Sequence, residues 1–173
     1  HHCDVSLSTS ISEIEKQDDG SWRLFDKRGA YHGIYDVVII ATAAPDVVDL
    51  AQQVKSIAGP ASKIDMTMSW TALFVFEQSL SLPFDAAFVL DSPLSWIART
   101  QEVEPDVSGQ ECWIIQASPE WSLQYAASFR GRVMHALLDA FFEACDIPEV
   151  KPVTSNVHLW KHALPINTLG EDC

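Results

Sequence analysis

The sequence predicts an α+β fold: a small β-meander followed by a mainly antiparallel sheet with helices on one side. Three observations carry this. Short alternating segments separated by turn residues recur from Met66 to Ala117, and two helical patterns follow, at Pro119–Ala127 and Gly131–Cys145. Near the start, an Asp-Gly turn joins two further short strands. Strands linked by turns favour antiparallel pairing.

Taken in order, Val5 to Ile14 alternates loosely through Val5, Leu7, Thr9 and Ile11 and predicts a strand of ragged register. Gln17-Asp18-Asp19-Gly20-Ser21 predicts a hairpin turn, with Trp22–Phe25 returning and Asp26-Lys27-Arg28-Gly29 turning again. The meander is expected to end in a buried strand over Asp36–Ile40. Val37 to Ile40 are all β-branched, which favours strand, and the lack of polar alternation predicts cover on both faces. Ala41, Thr42, Ala43, Ala44 and Pro45 follow with little side-chain bulk. Such a run serves equally as an ordinary central strand or as one delivering a tight turn to a cofactor.

Pro45 and Asp46 predict a helix start, with Val47, Val48, Ala51 and Val54 on one face and a break at Gly59-Pro60. Met66, Met68, Trp70, Ala72, Phe74 and Phe76 occupy alternate positions of one long strand. Strands are expected at Ala86–Leu90, Leu94–Arg99 and Cys112–Ala117, with an acidic loop from Glu102 to Glu111. Pro119 suits a first helical turn. Val133, Leu137, Leu138, Phe141 and Phe142 have helical spacing, and Thr154–Leu159 predicts a last strand.

With 173 residues the chain holds one domain, or one and part of another. Its net charge of −13 disfavours nucleic acid and anionic membrane surfaces. With no long apolar run and no signal-peptide layout, a cytoplasmic setting is expected. Cys3, Cys112, Cys145 and Cys173 are widely spaced, so reduced and mostly buried thiols are expected rather than disulfides or zinc ligands. His158 and His162 have a metal-binding spacing for a helix, but they flank Trp160 on a strand ending without a companion carboxylate. No metal site is expected. GxSxG, HExxH and the glycine-rich dinucleotide fingerprint are absent.

Six tryptophans remain. Trp22 belongs to the meander, whereas Trp70, Trp96, Trp113, Trp121 and Trp160 fall on or beside the sheet strands. They either fill the core or wall a flat ligand pocket, and core is the commoner fate of buried aromatics. Trp113 is the strongest core candidate and Trp96 the strongest ligand candidate. Residue types alone leave the reaction undetermined.

Several segments together, YDVVIIATAAP, MTMSWTALFVFE, SPLSWIART, ECWIIQASPEWS and HLWKHALP, resemble the renalase-like FAD-dependent oxidoreductases of the flavin-containing amine oxidase superfamily. The resemblance implies a central fragment, with the dinucleotide fingerprint before residue 1 and a second flavin-binding segment after residue 173. On that footing residues 1–45 are a partial FAD-binding domain holding the meander and one strand. Residues 46–160 are the substrate domain, and 161–173 return towards the FAD-binding domain. Val5 and Thr42, Ala43, Ala44 and Pro45 would lie near FAD. Trp70, Trp96, Gln116, Trp121 and Trp160 would face the flavin ring, and Arg99 would meet a substrate phosphate or carboxylate. No residue of this chain would act as a nucleophile.

The implied reaction is oxidation of a dihydronicotinamide species by hydride transfer to flavin, followed by reoxidation with oxygen. Gln116 stands where animal renalases have a histidine, and Thr100 with the acidic QEVEPDVSG loop replaces a more basic stretch. The first departure means that any role of that histidine is not carried over, and the second puts the substrate, above all a phosphorylated one, in doubt. An amine or small-molecule oxidase of the same superfamily and a non-catalytic binding domain are the alternatives. Alone, this chain is expected to be inactive, to bind FAD weakly or not at all, and to self-associate through surface normally covered by the missing parts.

Overall fold

The computed structural model describes residues 3–100, 109–167 and 170; the centre of the acidic loop and Cys173 lie outside them. The chain divides into two compact units, residues 1–66 with 165–173, and residues 67–164. The fold is α+β, with a three-stranded and a five-stranded sheet.

In the first unit, β1 (Ile11–Lys16), β2 (Trp22–Asp26) and β3 (Tyr31–Tyr35) form an antiparallel meander. Gly20 takes φ +86° at the first turn, a conformation open to glycine at little cost. Asp19 fastens that turn by accepting from the Ser21 N–H at 3.0 Å. At the second turn, Asp26 accepts from the Arg28 and Ala30 N–H groups at 2.8 and 2.9 Å. Helices α1 (Ala44–Leu50) and α2 (Lys55–Ala61) follow.

Three expectations change here. The first strand starts at Ile11, because Val5 and Leu7 are exposed and unladdered. The third strand of the meander is Tyr31–Tyr35, and Asp36–Ile40 belongs to neither sheet. Its β-branched residues favour a strand, yet among the described residues no strand pairs with it. Val37 and Ile39 are therefore 73% and 87% exposed, while Val38 and Ile40 line an apolar cavity of about 170 Å³ with residues of β1, α1 and α2. Gly59-Pro60, the expected break, lies inside α2. Pro60 stands in the last turn, where it forfeits one backbone bond while its carbonyl still accepts from the Lys63 N–H at 3.0 Å.

The second unit is a sheet of order β5-β6-β7-β4-β8, built from β4 (Met66–Phe76), β5 (Ala86–Phe88), β6 (Leu94–Thr100), β7 (Glu111–Ala117) and β8 (Thr154–Pro165). Strands β5, β6, β7 and β4 pair antiparallel. The Val153 N–H bonds the Val75 carbonyl at 2.8 Å, so β8 begins beside the end of β4 and also runs antiparallel to it. Helices α3 (Pro119–Gln124) and α4 (Arg130–Cys145) complete the unit. The last strand runs to Pro165, six residues past the expected Leu159.

Alternation decides which face is covered. Trp70, Ala72, Phe74 and Phe76 of β4, Trp113, Ile115 and Ala117 of β7, and Ile97 of β6 share a core with Val133, Leu137, Phe141 and Phe142 of α4. Phe141 lies 5.5 Å from Trp113 and 6.3 Å from Phe76, centroid to centroid. Burying each such ring stabilises the fold by about 1.5–3 kcal/mol. Ser118 caps α3 by accepting from the Trp121 N–H at 3.2 Å. Asp146 ends α4 in the left-handed region at φ 50°, which aspartate tolerates better than most residues.

Cys112 and Cys145 are free thiols whose pKa values burial pushes up, that of Cys145 to about 11; Cys3 is exposed. Peptide mapping after brief maleimide treatment at neutral pH should find Cys3 modified in the native protein. Cys112 and Cys145 should react only after denaturant is added, since the thiolate is the reactive species.

Candidate functional site

Helices α3 and α4 pack on one face of the five-stranded sheet, and neither covers the opposite face. Register places its side chains. Phe88 of β5 pairs with Trp96 of β6, Trp96 with Gln116 of β7, and Gln116 with Thr71 of β4. These four residues form one row across four strands. Beside it runs a second, wholly apolar row of Ala86, Ala98, Ile114 and Leu73. Phe88 is 85% exposed. These four strands place no Asp, Glu, Lys or Arg on the open face.

On β8, Val157 and Leu159 belong to the core side, so His158 and Trp160 point to the open side. Their rings meet edge-on at 4.6 Å. Of the residues singled out from the sequence, Trp96, Gln116 and Trp160 therefore share the open face. Trp70 lies on the covered face, donating from Nε1 to the Tyr125 carbonyl at 3.2 Å. Trp121 stacks on Tyr125 at 4.2 Å and packs against the core.

Arg99 pairs in register with Trp113, which puts it on the helix side. The sequence offers it to a substrate anion, but the structure has it engaged. It forms an ion pair with Asp85, which accepts from its Nε at 2.9 Å, and a second with Glu111 at 3.3 Å. The hydrogen bonds it donates to Asp85 and then to Glu111 raise its pKa further. Glu111 is 7% exposed and also accepts from Ser79 Oγ and Trp113 Nε1, each at 2.6 Å. This cluster ties the segment before β5 to β7 and holds Arg99 on the helix side by two carboxylates.

Val5 and Thr42–Pro45 belong to the first unit. Val5 is exposed, and Ala43 leads into α1 without a side-chain cap bond. Thr71 and Phe88 escaped the sequence reading. The signal for Thr71 was its parity, a hydroxyl at an odd position of a strand whose even positions are apolar.

No family model matches the chain. Solved structures do resemble it. One is a protein assigned as a protoporphyrinogen oxidase from an Exiguobacterium species, with a TM-score of 0.60, 16% identity, and coverage of 94% of this chain and 36% of that one. Cyclohexylamine oxidase from Brevibacterium oxydans gives 0.65 and 15%, covering 89% and 34%. Putrescine oxidase bound to putrescine gives 0.58 and 11%, covering 85% and 33%. The likeness is one of fold. The chain spans about a third of the length of each of these proteins. Among the described residues no group of three or more His, Cys, Asp or Glu side chains is placed to hold a metal ion. No described helix is long and apolar enough to cross a membrane.

Proposed function

We propose that this chain is the substrate-domain portion, with part of the cofactor-binding portion, of a larger FAD-dependent oxidoreductase. The observation that carries the reading is the uncovered row of Phe88, Trp96, Gln116 and Thr71, on a fold shared with solved oxidases. The four strands β4 to β7 place no acidic or basic side chain on this face, which suits planar rings and fits the ring end of a flavin and its substrate. The small residues from Ala41 to Ala44 suit a close backbone approach, although the chain carries no glycine-rich cradle for a pyrophosphate.

Bound FAD would accept a hydride from a dihydronicotinamide-type ring and hand its two electrons on to oxygen. The residues of this chain bind, orient and exclude water. Trp96 and Phe88 offer apolar planes, and Gln116 supplies a hydrogen-bonding edge between them and Thr71. An amine oxidase of the same superfamily is the second reading, favoured by the cyclohexylamine and putrescine oxidases among the similar structures. The four strands offer an ammonium group no carboxylate partner, and this weighs for an uncharged ring.

The full-length protein, purified without added flavin, should show flavin absorption that bleaches with a dihydronicotinamide under nitrogen and returns in air. Bleaching by amines alone would move the substrate to the second reading. A colourless protein that takes up no FAD would sink both and leave a binding domain.

A further inference from the structure

Among the described residues no protein group hydrogen-bonds the side-chain amide of half-buried Gln116, which stays open to solvent. The same holds for the Thr71 hydroxyl opposite it and for the indole N–H of Trp96 on its other side. Nearby polar groups are committed. Ser69 Oγ donates to the Ala117 carbonyl at 3.0 Å, Ser95 Oγ to the Gln116 carbonyl at 3.2 Å, and Ser122 Oγ accepts from the Trp70 N–H at 3.0 Å. Three unpaired hydrogen-bonding groups thus lie in register on neighbouring strands, against the apolar row that includes Ile114 and Leu73. Facing side chains in such a row stand about 5 Å apart, close enough for one small ring to touch several of them.

We propose that Gln116 and Thr71 form an amide-reading pair, which recognises a carboxamide on the rim of a planar, uncharged ring lying against Trp96. This rests on the reading above that the open face meets the substrate. The chemistry follows from the donor inventory. A glutamine amide both donates and accepts, so it can pair reciprocally with a second amide, and a threonine hydroxyl can serve whichever group is left over. A carboxylate would find only donors useful and has no cation on this face. An alkyl substituent would strip water from the amide and return nothing, which is the costly case for a hydrogen-bonding site. Gln116 and Thr71 are thus specificity residues, and neither takes a proton or electrons.

The test compares nicotinamide with 3-methylpyridine, the same ring without the amide, as ligands of the full-length protein followed by calorimetry or ligand-observed NMR. The wild type should prefer nicotinamide by about tenfold, the worth of one to two net hydrogen bonds. In Gln116→Leu the preference should vanish while 3-methylpyridine binds as before, and the melting temperature should hold because the amide makes no internal bond. Thr71→Val should cut the preference about threefold, keeping the test alive if the leucine variant folds poorly. A preference that survives Gln116→Leu, or a wild type that binds both ligands alike or neither, would overturn the assignment. Because binding is read without turnover, an amide preference in a protein that lacks flavin would sink the oxidoreductase reading alone. Flavin that bleaches normally in a protein without the preference would sink this inference alone.

Discussion

Replacing Trp113 by alanine is expected to destabilise the second unit by about 3–5 kcal/mol, the cost of removing a fully enclosed aromatic ring and leaving a cavity. Trp113 is 0% exposed, with Phe84 edge-on at 5.9 Å and Phe141 tilted at 5.5 Å. Its ring therefore joins sheet, helix and the segment before β5. The loss should appear as a lower denaturant midpoint measured by far-ultraviolet circular dichroism. A change below about 1 kcal/mol would mean that Trp113 is not the packing centre its position indicates.

Glu111→Ala should cost about 3 kcal/mol, because it leaves the Trp113 N–H without its acceptor and removes a charge-assisted partner of Arg99. Burial pushes the Glu111 carboxyl up, yet donation from Ser79, Trp113, the Leu80 N–H and Arg99 outweighs it, so the pKa falls below the ordinary 4.5. The unfolded chain then binds the proton more readily than the folded one. Stability from this group is complete above about pH 4.5 and is lost as pH falls through the lower folded value. Denaturation midpoints below pH 4.5 should fall more steeply in the wild type than in Glu111→Ala, and parallel curves would refute the assignment. The two variants share a hydrogen bond, so their combined cost should depart from the sum of the separate costs, by about 0.5–3 kcal/mol in a double-mutant cycle.

Much of the second unit was legible because its periodicities are local. Alternation from Trp70 to Phe76 names the core face of β4, and helical spacing names that of α4; Met66 and Met68, expected on the same side, are only half-buried, because the pattern shifts at Trp70 and Thr67 and Ser69 are buried instead. Trp113 as core and Trp96 away from it also follow from position along a strand. Partnerships across distance were not legible. Arg99 meets Asp85 fourteen residues earlier and Glu111 twelve later, and no pattern within the intervening loops signals either contact. The side taken by Trp70 was readable only once the alternation of β4 was tied to the packing of α4. The stretch Asp36–Ile40 misled for a physical reason: β-branching sets the backbone conformation, whereas a strand also needs a neighbour to receive its N–H and C=O groups.

That stretch also bears on how the chain behaves in a cell. Four consecutive β-branched residues with free backbone edges are a template for intermolecular cross-β stacking. Asp36 stands immediately before them, and Asp46 and Asp49 follow within nine residues of Ile40. Charges placed this way act as gatekeepers, since stacking identical segments in register would align like charges about 4.8 Å apart. Asp36, Asp46 and Asp49 thus oppose self-stacking of a stretch whose Val37 and Ile39 side chains stand exposed.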